Sequence, residues 1–510
     1  MKRPPTERAS SLTASVLLAR NAGWSLAGNL LPLLVAIACV PVLVRGLGSE
    51  KFGLLSVIWV VVGYFAVFDL GFGRALTKLV AERLGHEKSE EIPDLVVTAL
   101  GIVTCLGLLA ACLIATISPW LIRDVLKTPN GLVADGTIAF WVLSAGLPFL
   151  IVSGALIGFL QAHQRFRAFS AIRMLTGSLT FAGPALALIW TPSVAAAAAS
   201  ITVSRALAVV VYGLYCFRAF PEVWHDGRFR KRLVKPLLDF GGWFTVSNVL
   251  GPIMVYLDRF VIGAVLSLSA VAYYTTPYEA VTRLSMFPTA LVNVLFPAFT
   301  TSFVADRERL VRLYDAGWKL VLIAMGPVAA LIVLFAPEGL SLWVGPDFAS
   351  RSTSVMRWLV VGVLVNSLAR LPAALVQGAG RPDLVAKLHV AELPLYLTGM
   401  WWALHVFGLV GVAAAWTVRI AVDTLALFVM GARLVPTVGR TTGACLLGTL
   451  VIACGVGVLS VVSTLTVKVV IAVSVLLGAL TIASYQVHRD GWDVLLQLVG
   501  RARVDSEERA

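Results

Sequence analysis

Long apolar runs, separated by turn residues and small clusters of charge, recur along the whole chain. "LLPLLVAIACVPVLV" (30–44) and "VVIAVSVLLGALTIASY" (469–485) are two of them. With their flanks they reach the roughly 20 residues that a bilayer-spanning helix needs. Set against the turn and charge punctuation, the runs predict fourteen helices, centred near residues 34, 60, 106, 146, 180, 204, 254, 289, 328, 363, 396, 416, 452 and 476. The expected fold class is therefore all-α: a multi-pass membrane protein.

The polar punctuation carries an orientation. With the N-terminus inside, the inner connections hold Arg74, Lys78, Arg83, Arg165, Arg167, Arg173, the cluster "RFRKRLVK" (228–235), Arg307, Arg309, Arg312, Lys319, Arg381, Lys387, Arg433 and Arg440. The outer connections hold only Arg45, Lys51, Arg123, Lys127, Arg351, Arg357 and Lys468. Basic residues accumulate in cytoplasmic loops, so both ends are expected in the cytoplasm and the number of crossings is even.

The pattern also restarts. "NAGWSLAGNLLP" (21–32) returns as "GGWFTVSNVLGP" (241–252), so Gly23, Trp24, Asn29 and Leu31 match Gly242, Trp243, Asn248 and Leu250, each 219 residues later. A second echo pairs Gln161 and Arg165 of "QAHQRF" with Gln377 and Arg381 of "QGAGRP". The offset holds six crossings, an even number, so the second copy enters the membrane in the same sense as the first. This predicts a parallel repeat, as in one class of transporters. The expected organisation is a cytoplasmic lead-in (1–20), a six-helix lobe (21–220), a basic inter-lobe linker (221–238), a second six-helix lobe (239–435), an added helix pair (440–488) and a cytoplasmic tail (489–510). In the tail, Trp492, Leu495, Leu496 and Val499 have the spacing of an interfacial helix.

Composition confirms the class. The 510 residues are 58% hydrophobic and 14% charged, with mean hydropathy +0.88, against roughly 45–50% apolar and about 25% charged in soluble domains. The net charge of +13 lies in the short loop clusters, as expected beside anionic lipid and not as a nucleic-acid-binding surface. All six cysteines lie in apolar runs without metal-ligand spacing and read as small hydrophobes. The basic, polar start reads as a cytoplasmic lead-in and not as a cleaved signal.

Several stretches resemble a known family. "LGSEKFGLLS" (47–56), "FDLGFGRALTKLVAE" (68–82), "LQAHQRFRAFSAIR" (160–173) and "LDRFVIGAVLSLSAVAYYTTPYEAVTRL" (257–284) are similar to the bacterial oligosaccharide flippases of the multidrug/oligosaccharidyl-lipid/polysaccharide exporter superfamily. The resemblance implies two six-helix lobes with two added helices and a central cavity open alternately to each side. It also implies transport of an undecaprenyl-diphosphate-linked glycan from the cytoplasmic to the periplasmic leaflet of the cell membrane. It carries no catalytic motif, no cofactor and no metal. Its expected partners are the lipid-linked oligosaccharide, membrane lipids, and a polysaccharide polymerase with glycosyltransferases.

Ionisable residues at membrane depth are costly and mark functional sites. They concentrate in the second lobe. Asp258 and Arg259 in span seven are sequence neighbours about 100° apart on the helix, so each is expected to find a partner on another helix. Glu279 and Arg283 in span eight are spaced for a same-face ion pair. Arg370 lies in span ten, Glu392 in span eleven, and Arg419 with Asp423 in span twelve. The first lobe offers Arg20 and Asn21 at its inner mouth, Asn29 in span one and Arg205 in span six.

Under the family reading these arginines hold the diphosphate, because guanidinium matches phosphate geometry with several donors. Arg259 and Arg370, without an acid three or four residues away, are the leading candidates. The competing reading makes the charges structural ion pairs, above all Glu279–Arg283 and Arg419–Asp423. Asp69 and Arg74 read as a cap or anchor of span two. Asn29 and Asn248 are expected to hydrogen-bond across helices near the lobe interface, with Trp24 and Trp243 as interfacial anchors. A lipid II flippase and a drug or cation antiporter of the same superfamily are the alternatives. A membrane glycosyltransferase or polymerase is disfavoured, because the longest outer loop, around 119–135, holds no acidic or histidine constellation and no Gly-rich phosphate loop appears.

Overall fold

The computed structural model describes residues 15–67, 72–85, 89–436, 455, 457–459, 462–482 and 484. Every regular element among them is a helix, and eight helices are long and apolar enough to cross a membrane. The chain divides into two compact units, Met1–Ala272 and Tyr273–Ala510. By its packing, the seventh crossing belongs to the first.

The first unit begins with α1, Ser15–Val67, 53 residues long. An unbroken helix of that length would run about 80 Å at 1.5 Å per residue, far beyond a hydrocarbon core of about 30 Å. Gly48, at φ 75° and ψ 166°, breaks it into two arms. Glycine takes that backbone conformation without a Cβ penalty. α2 (Phe72–Gly85) then approaches α4 (Asn130–Ala162) so closely that a Cβ on Gly158 would land on the carbonyl oxygen of Gly73. The Thr77 hydroxyl lies at this contact and donates to the carbonyls of Gly73 (2.8 Å) and Gly158 (2.9 Å).

α3 (Ile92–Trp120) is opened by a proline in its first turn and packs on α4. α5 (Phe166–Ala187) lies against α1. α6 (Val194–Ala219) packs on α4, and its exposed first-turn amides are satisfied from two sides. Ser193 caps Ala196, while Asp135 of α4 accepts from Val194 (2.8 Å) and Ala195 (3.2 Å). After the short α7 (Pro221–Asp226), the basic linker is tied down. Asp94 of α3 accepts from the Arg228 amide at 2.7 Å and from Arg230 Nε at 2.8 Å. α8 (Lys231–Val265) packs on α1, α2 and α3.

The second unit takes up the chain within α9 (Leu268–Thr282), which passes through a short 3-10 turn into α10 (Met286–Ala305). α11 (Arg307–Val344) is N-capped by Asp306, which accepts from the Arg309 amide at 2.9 Å. α12 (Pro346–Gly378) packs on α11 and, most extensively, on α13 (Pro382–Leu434). Like α1, α13 has 53 residues and is broken by a left-handed glycine, Gly408 at φ 61° and ψ −141°. α14 (Leu465–Ile482) is joined to α11 by an ion pair, Lys468 Nζ to Glu338 Oε1 at 2.7 Å. The arms of the two broken helices and the helices between them cover the predicted helix centres up to 416. The predicted centre at 452 and the tail helix lie outside the described residues.

The halves repeat in their backbone. From Asn130 to Pro346, from Ala162 to Gly378 and from Phe166 to Pro382 the step is 216 residues each time. The turn after α4 and the turn after α12 also share one hydrogen-bond pattern. His163, Gln164 and Arg165 donate to the carbonyls of Phe159, Gln161 and Leu160 at 3.3, 2.9 and 2.9 Å. Ala379, Gly380 and Arg381 donate to those of Leu375, Gln377 and Val376 at 2.9, 3.0 and 3.1 Å. Each turn passes through a left-handed residue, Gln164 (φ 55°) or Gly380 (φ 79°), in the manner of a Schellman cap. The sequence echo of Gln161 and Arg165 in Gln377 and Arg381 is thus the echo of a helix end. The side chains of Trp24, Asn29, Trp243 and Asn248, which carry the other echo, lie outside the described residues.

Candidate functional site

The break at Gly408 folds α13 into a hairpin and brings together charges that the linear sequence keeps apart. His389, Glu392 and Tyr396 recur at helical spacing on the first arm; Arg419 and Asp423 stand one turn apart on the second. Across the hairpin, Arg419 Nη1 lies 3.7 Å from Glu392 Oε2, and His389 Nε2 lies 3.5 Å from Asp423 Oδ1. The Arg419 guanidinium also sits over the Tyr396 ring, 5.4 Å from its centroid. The side chains of Glu392 and Asp423 are 7% and 8% exposed, whereas that of His389 is 43% exposed.

The predicted pairing of Arg419 with Asp423 along one helix is therefore replaced by two pairs between the arms. The i, i+4 rule considers one helix alone, and here a facing helix offers each charge an opposite partner at similar range. Neither His389 nor Tyr396 was singled out from sequence. Their spacing with Glu392 in "HVAELPLY" (389–396) is the signal that could have found them.

The neighbours Asp258 and Arg259 of α8, each expected to find a partner on another helix, also pair with one another. Asp258 Oδ1 accepts from the Arg259 amide (2.8 Å) and from Arg259 Nη1 (3.0 Å). The long arginine side chain wraps back across the 100° between them, and its guanidinium lies 5.4 Å from the centroid of the Tyr256 ring. Both residues are almost completely buried. Arg259 thus carries an adjacent countercharge that the search three and four residues away did not consider.

Of the candidate arginines whose side chains are described, Arg205 and Arg370 have no ion-pair partner among the described residues. Arg205 of α6 donates from Nη2 to the Thr180 hydroxyl of α5 at 3.0 Å, and its Nε is buried without an acceptor. Arg370 of α12 likewise has a buried Nε without an acceptor. Glu279 and Arg283 form the predicted pair at 3.1 Å, with each side chain nearly half exposed; such pairs contribute about 0.3–0.5 kcal/mol. At the start of α13, Arg381 donates to Asp383 at 3.0 Å, and that hydrogen bond holds the Arg381 guanidinium above its ordinary pKa. Asp69 and the side chains of Arg20, Asn21, Asn29, Arg74 and Asn248 lie outside the described residues.

Residues 18–303 match the profile of a family described as "Polysaccharide biosynthesis protein". The chain belongs to that family. Over 410 residues it is 28% identical to a Shigella flexneri protein whose name provisionally assigns it O-antigen transport, covering 80% of this chain and 96% of that one. Over 418 residues it is 24% identical to the lipopolysaccharide biosynthesis protein WzxC of Escherichia coli K12, covering 80% of each. Among solved structures, a multidrug resistance MATE family transporter of the MOP superfamily, in its inward-facing conformation, matches with a TM-score of 0.67. The sequence identity is 18%, and the match covers 82% of this chain and 99% of that one. This family member thus shares the fold of that solved structure.

Proposed function

We propose that the protein is a flippase that carries a polyprenyl-diphosphate-linked oligosaccharide from the cytoplasmic to the periplasmic leaflet of the inner membrane, for assembly of a surface polysaccharide. Family membership, relatives named for O-antigen transport and lipopolysaccharide biosynthesis, and a transporter fold support this reading. The protein acts by alternating access, without catalysis, and both termini face the cytoplasm. Glycosyltransferases supply its substrate and a polymerase consumes the product.

The observation that carries the chemistry is that each unit holds a guanidinium without an ion-pair partner among the described residues, Arg205 in the first and Arg370 in the second. A cation at membrane depth without a carboxylate is expensive to maintain. A diphosphate that arrives during transport supplies the missing charge and leaves with the product. Guanidinium suits this role because its planar fork offers two parallel donors to phosphate oxygens. Arg259, with Asp258 against it, serves structure first. Arg419, Arg283 and Arg20 are secondary candidates for the same path.

Deletion of the gene tests the reading. A lipid-linked glycan should accumulate on the cytoplasmic face, and wild-type protein should clear it. Accumulation of lipid II with lysis would instead assign the peptidoglycan precursor as cargo. Clearance by an Arg205→Ala/Arg370→Ala double variant at normal protein level would remove both arginines from the transport path.

A further inference from the structure

The basic linker between the two repeats is held against the flank of α3. Besides the two hydrogen bonds to Asp94, the Arg230 amide donates to the Thr98 hydroxyl at 2.9 Å. Gly227 fits the same place: a Cβ there would meet the carbonyl oxygens of Pro93 and Val223. The Phe229 ring stands against Gly101 of α3, yet it remains 53% exposed. Cys105, Leu108 and Cys112 follow Gly101 at helical spacing, and all three are exposed. The ring thus lies beside a stripe of α3 that faces lipid.

Its depth follows from the length of the helix. α3 has 29 residues and is about 44 Å long, close to a bilayer with both headgroup layers. Asp94 lies about 3 Å from the first residue of α3, among the headgroups, and Gly101 about 14 Å from it, within the hydrocarbon. The charge at the headgroup level is one-sided. Between 226 and 235 the cations Arg228, Arg230, Lys231, Arg232 and Lys235 stand with one acid, Asp226. Asp94 is a second acid and pairs with Arg230, so cations remain in excess by three. Arg228, Lys231, Arg232 and Lys235 are exposed and form no ion pair among the described residues. Anchoring the linker uses Asp94, Thr98, Gly227 and Phe229, and gives those four cations no task. Orienting the chain in the membrane needs basic residues, but it needs neither a fixed loop nor an aromatic ring at hydrocarbon depth.

We propose that the linker is a binding site for one anionic phospholipid, of the inner leaflet in the orientation given above. The phosphate rests among Arg228, Lys231 and Arg232, and an acyl chain runs past Phe229 along the stripe of Cys105 and Leu108. A soluble polyanion would satisfy the charges but has no use for the exposed ring. A transported diphosphate has to leave its leaflet, whereas these cations stand at one headgroup level on a lipid-facing flank. Bound there, the phospholipid ties the linker, and with it the start of α8, to α3. The proposal does not depend on what the protein transports.

The test uses the full-length chain in detergent, with phosphatidylglycerol and phosphatidylcholine of the same acyl chains as probes. Lipid retained through gel filtration is counted by mass spectrometry. Wild type should retain one phosphatidylglycerol in preference to phosphatidylcholine, and the bound lipid should raise its unfolding temperature. Arg228→Gln/Lys231→Gln should weaken that retention about ten-fold or more, and Phe229→Ser should weaken it several-fold. Arg307→Gln/Arg312→Gln removes the same charge from another basic cluster and should leave retention unchanged. Equal losses in the two double variants would mean that bulk charge alone attracts the lipid, and would overturn the site; so would retention that Arg228→Gln/Lys231→Gln leaves intact. Displacement of phosphatidylglycerol by an equal concentration of inorganic phosphate would assign the cations to a soluble anion. Preference for polyprenyl diphosphate in a mixed sample would assign them to the cargo, and either result overturns the phospholipid. If the variants fail to fold, wild type still decides. Salt at about 0.5 M should release the lipid, and retention indifferent to salt overturns a headgroup held by charge.

Discussion

The turn after α4 and the turn after α12 follow one another hydrogen bond for hydrogen bond, yet the helices they join carry different chemistry. Stepping back 216 residues from Arg370 reaches Gly154, and from Glu392 it reaches Thr176. From Arg419 and Asp423 the same step reaches Val203 and Leu207, and stepping forward from Arg205 reaches Ala421. Only His389 meets a basic counterpart, Arg173. Helix lengths, breaks and caps have been kept in both halves, because they satisfy backbone groups and fill space, which every copy needs. Buried charges are expensive, and they stand in one copy or the other where a task maintains them. A repeated backbone therefore supplies equivalent places, and the unequal charges point to what those places are used for.

The largest effect is expected where that inequality is functional. Arg370→Ala should lower export about 100-fold, the loss corresponding to a charged hydrogen-bond contact of about 2–3 kcal/mol. Protein level and membrane insertion should be unchanged, because no ion-pair partner among the described residues is stranded by the change. Arg370→Lys should recover only part of the activity, since an ammonium keeps the charge without the planar fork. Full export by Arg370→Ala, measured as surface polysaccharide per unit of protein, would show that the asymmetry of charge between the halves is structural.

Next comes the buried pair of α8. Arg259→Ala removes the adjacent guanidinium from the buried Asp258 carboxylate, and loss of one partner of a buried pair costs about 3–5 kcal/mol. Thermal unfolding in detergent should fall markedly. A double replacement, Asp258→Leu with Arg259→Met, should regain most of the loss, because it removes both charges together. If Arg259→Ala unfolds normally and abolishes export, Arg259 belongs with Arg370 in the transport path.

These two cases mark what the sequence could and could not disclose. Apolar runs of membrane length, with glycine and charge between them, placed the helices, since each helix must satisfy its own backbone in lipid. The depth and scarcity of charges marked Arg205, Arg370, Glu392 and Asp423 as candidates for the same reason. Partners were harder to read. Arg419 seemed matched to Asp423 because both lie on one helical face, and only the fold at Gly408 presents Glu392 and His389 to them. Asp258 and Arg259 seemed to diverge because helical geometry fixes Cβ directions, whereas a long arginine side chain can return to its neighbour. Pairing depends on side-chain reach and on the facing helix, and neither is written in the spacing of one segment.

A third, smaller contrast concerns packing. Gly158 meets the backbone of Gly73 so closely that an added Cβ has no room. The residue 216 positions later is already an alanine, Ala374, buried in α12. Gly158→Ala should cost about 1–3 kcal/mol by overpacking, with loss of the Thr77 hydrogen bond to the Gly158 carbonyl as α2 moves away. Ala374→Gly should cost about 1 kcal/mol, through the helix propensity of glycine alone. Equal effects of the two changes, in thermal unfolding, would mean that the close approach of α2 to α4 is not particular to the first half.

The smallest effect tests the shared turn itself. Gln164 and Gly380 occupy the same left-handed position in matching hydrogen-bond patterns, but only glycine adopts it without crowding its Cβ against the backbone. The first half thus tolerates a strain that the second avoids. Gln164→Gly should relieve about 1 kcal/mol of that strain, offset in part by the greater freedom of glycine in the unfolded chain. Gly380→Ala should impose about 1 kcal/mol in the opposite direction. The signs matter more than the sizes: one substitution raises the unfolding temperature, the other lowers it, and export is unchanged in both. If Gln164→Gly destabilises, the Gln164 side chain contributes more to the end of α4 than its backbone costs, and the two turns are alike in geometry but not in what holds them.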